Sequence, residues 1–235
     1  AGVRLADMSI NATALAAAYL DLYPKDAASD APQLLVDVGA ENSTVVVLAG
    51  RQILFTSALM FGVEQYLEEV ARHLGVSPNE ARERCAKETI HPADLNSPYV
   101  KAAGVLEQEL QGALENWRSQ EQADISRMQF AQISLCGGGA HLNGLDSYLA
   151  HVFHCPAQVV GIKGPEDQTP DPLYMTAYGL ALQGVSASPL PISVAPKTVR
   201  WQALRRDRFP FLVAAAVILA VMVAIAEIRM YANLI

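Results

Sequence analysis

Apolar side chains recur along this chain with two periods. Alternation near period two predicts strands over Val3–Ile10, Gln33–Val38, Thr44–Leu48 and Gln52–Leu59, with Ala49-Gly50-Arg51 as a tight hairpin turn between the last two. Helical spacing predicts an alanine-rich helix over Ala12–Tyr23. It also predicts helices over Gly62–Leu74, where Val63, Tyr66, Leu67, Val70 and Leu74 share a face that stops at Gly75, and over Tyr99–Gln120, where Val105, Leu106, Leu110, Leu114 and Trp117 share one. Ser77, with Glu80 three residues on, reads as a capping box for a helix from Pro78 to about Lys87. An apolar run, Phe130–Leu135, leads through a glycine-rich stretch into the amphipathic run Leu145–Phe153. Pro156 opens a short strand, Ala157–Val160, and a last helix covers Leu173–Gln183 after the acidic, proline-rich loop Gly161–Pro172. This order predicts an α/β fold with helices packed on a mixed sheet.

Two turns carry candidate chemistry. Gly137-Gly138-Gly139 follows a strand and precedes a helix, so bare backbone can approach a ligand closely, and the helix start turns its N–H groups and positive dipole end the same way. That arrangement suits a nucleotide; the plain alternative is a turn that binds nothing. The stretch holds no lysine followed by Ser or Thr, which excludes a P-loop there, and it lacks the G-x-G-x-x-G spacing. The second turn is Asp37-Val38-Gly39 with Ser43 and Thr44. A carboxylate at a strand end beside exposed amides can hold Mg²⁺ through water while the amides hold phosphate oxygens. D-x-G turns also serve purely structural ends. The histidines form no helix-spaced metal pair, His151 and His154 reading as surface residues, and no nucleophile elbow is present.

Composition adds a second theme. The chain of 235 residues is 51% hydrophobic and only 17% charged. The excess is local: Phe209–Ala226 is 18 residues without a charge, about 27 Å as a helix against a bilayer core of about 30 Å. A membrane span is expected there. Arg200, Arg205, Arg206 and Arg208 precede it, placing residues 1–208 on the cytoplasmic side and 227–235 outside. The Pro/Ser-rich stretch Gly184–Pro196 reads as a linker. The net charge of −7 and a pI near 5.2 argue against nucleic acid. Cys85, Cys136 and Cys155 have no metal-ligand spacing and read as free thiols of a reducing compartment.

Four motifs taken together are more specific. Leu34–Thr44 (LLVDVGAENST), the hairpin with Phe61-Gly62-Val63-Glu64-Gln65, Gly75-Val76-Ser77-Pro78-Asn79-Glu80-Ala81 and Leu135–Leu145 (LCGGGAHLNGL) resemble, in order and spacing, the second half of a PilM-type pilus-assembly protein. The resemblance covers roughly residues 1–184. It implies an actin-like (ribonuclease H-like) ATPase fold, its second lobe with part of the first, and ATP or ADP with Mg²⁺ as cofactor. It assigns Asp37, Gly39, Ser43 and Thr44 to a phosphate loop, with Asp37 toward the metal. Gly137, Gly138, Gly139 and Asn143 fall to the adenosine loop, and Glu109 to a position facing the ribose.

Relatives often carry an acid followed by proline where this chain reads Asn11-Ala12, and asparagine cannot act as a general base. The resemblance therefore implies a nucleotide-dependent binding scaffold with at most weak ATPase turnover. A first phosphate loop would fall before Ala1, so the chain is expected to be a piece of a longer protein. The arginine-rich approach and span (residues 185–208, then 209–226) resemble the start of a PilN-type partner. Leu190–Val194 then stands where the partner's peptide would be, unless it is simply a linker to an anchor. The implied role is a membrane-tethered scaffold of the inner-membrane platform of a type IV pilus or type II secretion-like system. Its implied partners are PilN- and PilO-like proteins, with self-association a further option. An FtsA-type cell-division tether and a sugar or acid kinase of the same superfamily are the alternatives; filaments on lipid would favour the first and a substrate-binding first lobe the second.

Overall fold

The computed structural model describes residues 8–26, 29–120, 129–163, 170–185, 187–190, 192–196, 209, 211–225 and 229. Residues 10–192 form one compact unit, and residues 1–9 with 193–235 a second.

The first unit is built on a five-stranded sheet in the order β3-β2-β1-β4-β5. Its strands are β1 (Gln33–Val38), β2 (Ser43–Ala49), β3 (Gln52–Leu59), β4 (Gln132–Cys136) and β5 (Ala157–Val159). The first three form an antiparallel meander, whereas β4 lies parallel to β1 and β5 parallel to β4. Burial follows position. Leu34, Leu35 and Val36 of the central β1 are fully buried, as a continuous apolar strand covered on both faces must be. The edge strand β3 alternates exposed and half-buried residues instead.

Helices cover both faces. On one face α1 (Asn11–Leu22) and α6 (Met175–Gly184) pack against Leu35, Val46, Leu48 and Cys136. Their contact is close enough that a Cβ at Gly179 would stand 1.8 Å from the Ala14 carbonyl oxygen, so glycine is required there. On the other face α2 (Val63–Leu74), α3 (Pro78–Cys85), α4 (Pro98–Gln120) and α5 (Leu145–Phe153) enclose the larger core around Leu34, Val36, Val45, Leu106, Leu110 and Leu135.

Local signals fix the ends of these elements. Gly75 caps α2 in the left-handed region (φ 67°), and the Ser77 hydroxyl accepts the Glu80 N–H at 3.3 Å. The reciprocal half of the expected capping box is replaced by an ion pair, Glu80 with Arg84 one turn on. Helix α3 also stops at Cys85, two residues before the expected Lys87. The glycine stretch differs from expectation too. A short 3-10 turn, Gly138–His141, intervenes before α5, which starts at Leu145 behind Gly144 (φ 83°). The three thiols are free, Cys85 and Cys136 buried and Cys155 half-buried.

Of the second unit, the expected strand Val3–Ile10 lies mostly outside the described residues, although Val194 N–H donates to the Met8 carbonyl at 2.9 Å. The expected span 209–226 is described as helix over 211–225, exposed along its length. No described helix is long and apolar enough to cross a membrane, so the expected single-pass span is not established by the fold. The arginine-rich approach, 200–208, lies outside the described residues.

Candidate functional site

Sheet topology selects one crevice. From β1 the chain turns to β2 on one side, and from β4 it proceeds to β5 on the other, so the connections part between β1 and β4. In open sheets, ligands bind at such a switch point, outside the carboxyl ends of the parallel strands. Asp37 stands opposite Cys136 in the parallel register, so the turns beginning at Gly39 and Gly137 emerge side by side at that edge.

Each glycine in the crevice has its own task. A Cβ at Gly137 would lie 2.2 Å from Asp37 Oδ1, and one at Gly139 would lie 2.2 Å from Val38 Cγ1. Both positions are thus bare so that the second turn can rest on the end of β1. Gly137 additionally has φ 80°, and its N–H donates to the Pro172 carbonyl at 2.9 Å. Gly138 is different: it is half-exposed, and its nearest neighbour would be Leu173 Cδ1 at 3.9 Å. It is the glycine of the three that is left open. The amides of Gly138 and Gly139 begin the 3-10 turn and have no partner within it.

The first turn is equally tight. Gly39 N–H donates to Asn42 O at 3.1 Å, while the carbonyls of Gly39 and Ala40 accept the N–H groups of Val63 and Glu64 at 3.0 and 2.9 Å, capping α2. The amides of exposed Ala40 and Glu41 donate to no acceptor among the described residues. The open amides of Ala40, Glu41 and Gly138, with the unpaired amide of packed Gly139 behind them, therefore stand in the two turns that follow Asp37 and its strand neighbour Cys136.

Asp37 points to the α1/α6 face. Its cross-strand neighbour on that face is Thr44, its other neighbour is buried Cys136, and its Oδ2 accepts the Thr176 hydroxyl at 2.8 Å. Burial raises the Asp37 pKa above the ordinary aspartate value, and the Thr176 hydroxyl offsets part of that rise. Burial, followed by the nearby Asp37, pushes the Cys136 thiol well up, so it is an inert neighbour.

The remaining expected residues divide. Ser43 is buried and donates its hydroxyl to Phe61 O at 2.6 Å, which ties β2 to the start of α2 and turns it away from the crevice. Asn143 contributes its carbonyl, accepting Ile90 N–H at 2.8 Å, and its side chain is exposed. Glu109 is not brought to the crevice. It is exposed on α4, across the sheet from the Asp37 carboxylate, and lines a shallow cavity of about 250 Å³ with Ser57, Ala58, Gly112 and Asn116 beside the edge strand β3. Thr176 and the Pro172 carbonyl are site members that motif reading does not reveal. A signal existed: β5 runs parallel to β4, so the segment after it emerges at the same edge, where α6 begins.

Among the described residues no three His, Cys, Asp or Glu side chains gather as metal ligands. A lone carboxylate beside open amides nevertheless fits a Mg²⁺–phosphate group, because Mg²⁺ keeps most of its waters and takes few protein ligands.

Comparison with protein families matches residues 1–185 to the family described as Type IV pilus assembly protein PilM. The chain belongs to the PilM family. A solved "PilM-PilN type IV pilus biogenesis complex" superposes with TM-score 0.50 at 22% identity, covering 72% of this chain and 51% of that one. MreB5 of Spiroplasma citri bound to ADP superposes with TM-score 0.53 at 13% identity over 76% of this chain and 59% of that one. The same protein bound to AMPPNP gives 0.52 at 14%, over 74% and 58%. The fold is therefore actin-like, as the four motifs implied, and this chain spans about half the length of the chain it matches in that complex. No curated protein matches it in sequence.

Proposed function

We propose that this PilM-family chain supplies the phosphate-and-adenosine half of a nucleotide cleft, in a scaffold that recruits partners according to nucleotide state rather than turning over ATP. The observation that carries the reading is the convergence of two glycine turns on Asp37 at the switch point of the sheet. In this role the amides of Ala40 and Glu41 hold phosphate oxygens, Asp37 orients the water shell of Mg²⁺, and Gly138 lies under the adenosine. The bound Mg²⁺ supplies charge neutralisation for the phosphates. Asn11, exposed at the start of α1, offers no base for water.

The scaffold's partner is a PilN-like protein, by analogy with the solved PilM-PilN complex. Membrane attachment is through the 209–226 segment, with residues 1–208 on the cytoplasmic side and a PilO-like protein in the same platform. Support comes from the 211–225 helix, whose Phe211, Leu212, Leu219 and Met222 are each more than 60% exposed, an apolar surface that calls for lipid or protein cover. Binding of ATP and ADP measured by calorimetry with and without Mg²⁺ tests the cleft. Saturable, Mg²⁺-dependent binding is expected, and absence of affinity for either nucleotide would remove the switch. Alkaline carbonate extraction tests the attachment: retention in the membrane pellet is expected, and release overturns it.

A further inference from the structure

Helix α6 begins without a side-chain cap of its own: its N-cap is Tyr174, which makes no capping hydrogen bond. Thr176 is the second residue of α6 and not its N-cap, so capping does not engage its hydroxyl. The Thr176 hydroxyl instead donates to Asp37 Oδ2 at 2.8 Å, a contact across 139 residues of sequence. The other oxygen, Oδ1, faces the bare Cα of Gly137, where a Cβ would intrude to 2.2 Å. The Gly137 N–H in turn holds the Pro172 carbonyl, just ahead of α6. The carboxylate is thereby gripped from two sides, by the second glycine turn and by α6.

We propose that Thr176 is the positioning residue of the Asp37 carboxylate, making α6 a third wall of the cleft. The proposal rests on the nucleotide reading above. A carboxylate that meets Mg²⁺ through water must present fixed lone pairs to a fixed water shell, because a free rotamer gives up part of the gain in ordering entropy. Thr176 fixes the rotamer by taking one Oδ2 lone pair, leaving the remaining acceptor positions for the water shell. Serine at 176 keeps the hydroxyl and loses only a methyl. Valine keeps the shape and loses the donor.

The test measures ATP affinity by calorimetry in Mg²⁺ and in EDTA for the wild type, Thr176→Val and Thr176→Ser. In the wild type Mg²⁺ should strengthen binding. In Thr176→Val that Mg²⁺-dependent gain should shrink by about tenfold while affinity in EDTA stays unchanged, and Thr176→Ser should restore it. A merely structural role for Thr176 would weaken both conditions equally. An unaltered Mg²⁺ gain in Thr176→Val, or an equal loss in both conditions, overturns the positioning role alone. A wild type without nucleotide affinity overturns the nucleotide reading and the proposal with it. If the valine variant fails to fold, Thr176→Ala replaces it with the same expected outcomes. Without nucleotide, the Val variant should melt about 3 °C lower than the Ser variant, through loss of a hydrogen bond to a charged group; equal melting overturns the bond itself.

Discussion

The two faces of this sheet are built from different materials. The α2/α4/α5 face is a deep core of large side chains, with Leu34, Leu106, Leu110, Ile133 and Leu135 at 0% exposure. The α1/α6 face is thin and alanine-rich, and it buries polar groups among the apolar ones. There Tyr19 donates to Gln33 Oε1 at 2.7 Å, and Ser134 donates to the Tyr19 hydroxyl at 3.4 Å. Burial, partly offset by Ser134, pushes Tyr19 up to about 12. Asp37 belongs to this second face. One face holds the sheet together and leaves the other to carry polar and closely approached groups, a division that mutation can test.

The largest effect should come from the deep face. Leu110→Ala should cost about 2–5 kcal/mol, read by urea denaturation, through lost burial and the cavity left behind. Nucleotide affinity of the folded variant should stay at the wild-type level, and a large loss of affinity would show that the faces are not separable. Gly179→Ala should cost about 1–3 kcal/mol, because its Cβ has no space against Ala14. Here nucleotide affinity should fall as well, since α6 carries Thr176.

Asp37→Asn should separate the two faces in the opposite sense. Burial raises the Asp37 pKa, so the folded chain keeps its proton at pH values where the unfolded chain has released it. The stability this contributes is complete below the unfolded value of about 3.9 and is lost as pH rises through the folded value. Asparagine carries no charge to bury and still accepts from Thr176. Its Tm at neutral pH should therefore exceed that of the wild type by a few degrees, its pH profile should be flatter, and Mg²⁺-dependent binding should vanish. Parallel pH profiles for the two proteins would contradict the account. The smallest effect belongs to Glu109→Gln, on the far side of the sheet at the β3 cavity. Stability should move by less than about 0.5 kcal/mol and nucleotide affinity by less than about twofold; a larger loss would return Glu109 to the site.

Much of this was legible in residue patterns because local chemistry and fold agree there. Strands Gln33–Val38 and Gln52–Leu59 and helix Leu145–Phe153 have the bounds that periodicity assigns them. The two turns were visible as glycines at strand ends. What they face was not, since that depends on tertiary register: Gly138 opens outward while Gly137 and Gly139 are packed, and a run of three identical residues cannot reveal it. Ser43 reads as a phosphate-loop hydroxyl until β2 turns it onto the Phe61 carbonyl. Thr176 carries no local mark because its partner lies 139 residues away. The apolar stretch after residue 208 reads as a full span from composition, and no helix among the described residues is long and apolar enough to establish one.

The claim that nucleotide binds between β1 and β4 is tested most directly by mapping backbone amide shifts as ADP and Mg²⁺ are added. The account predicts the largest shifts at Ala40, Glu41, Gly138 and Gly139, with Ser57, Glu109 and Gly112 nearly still. Shifts concentrated on the β3 and α4 residues, with the two glycine turns unmoved, would contradict it.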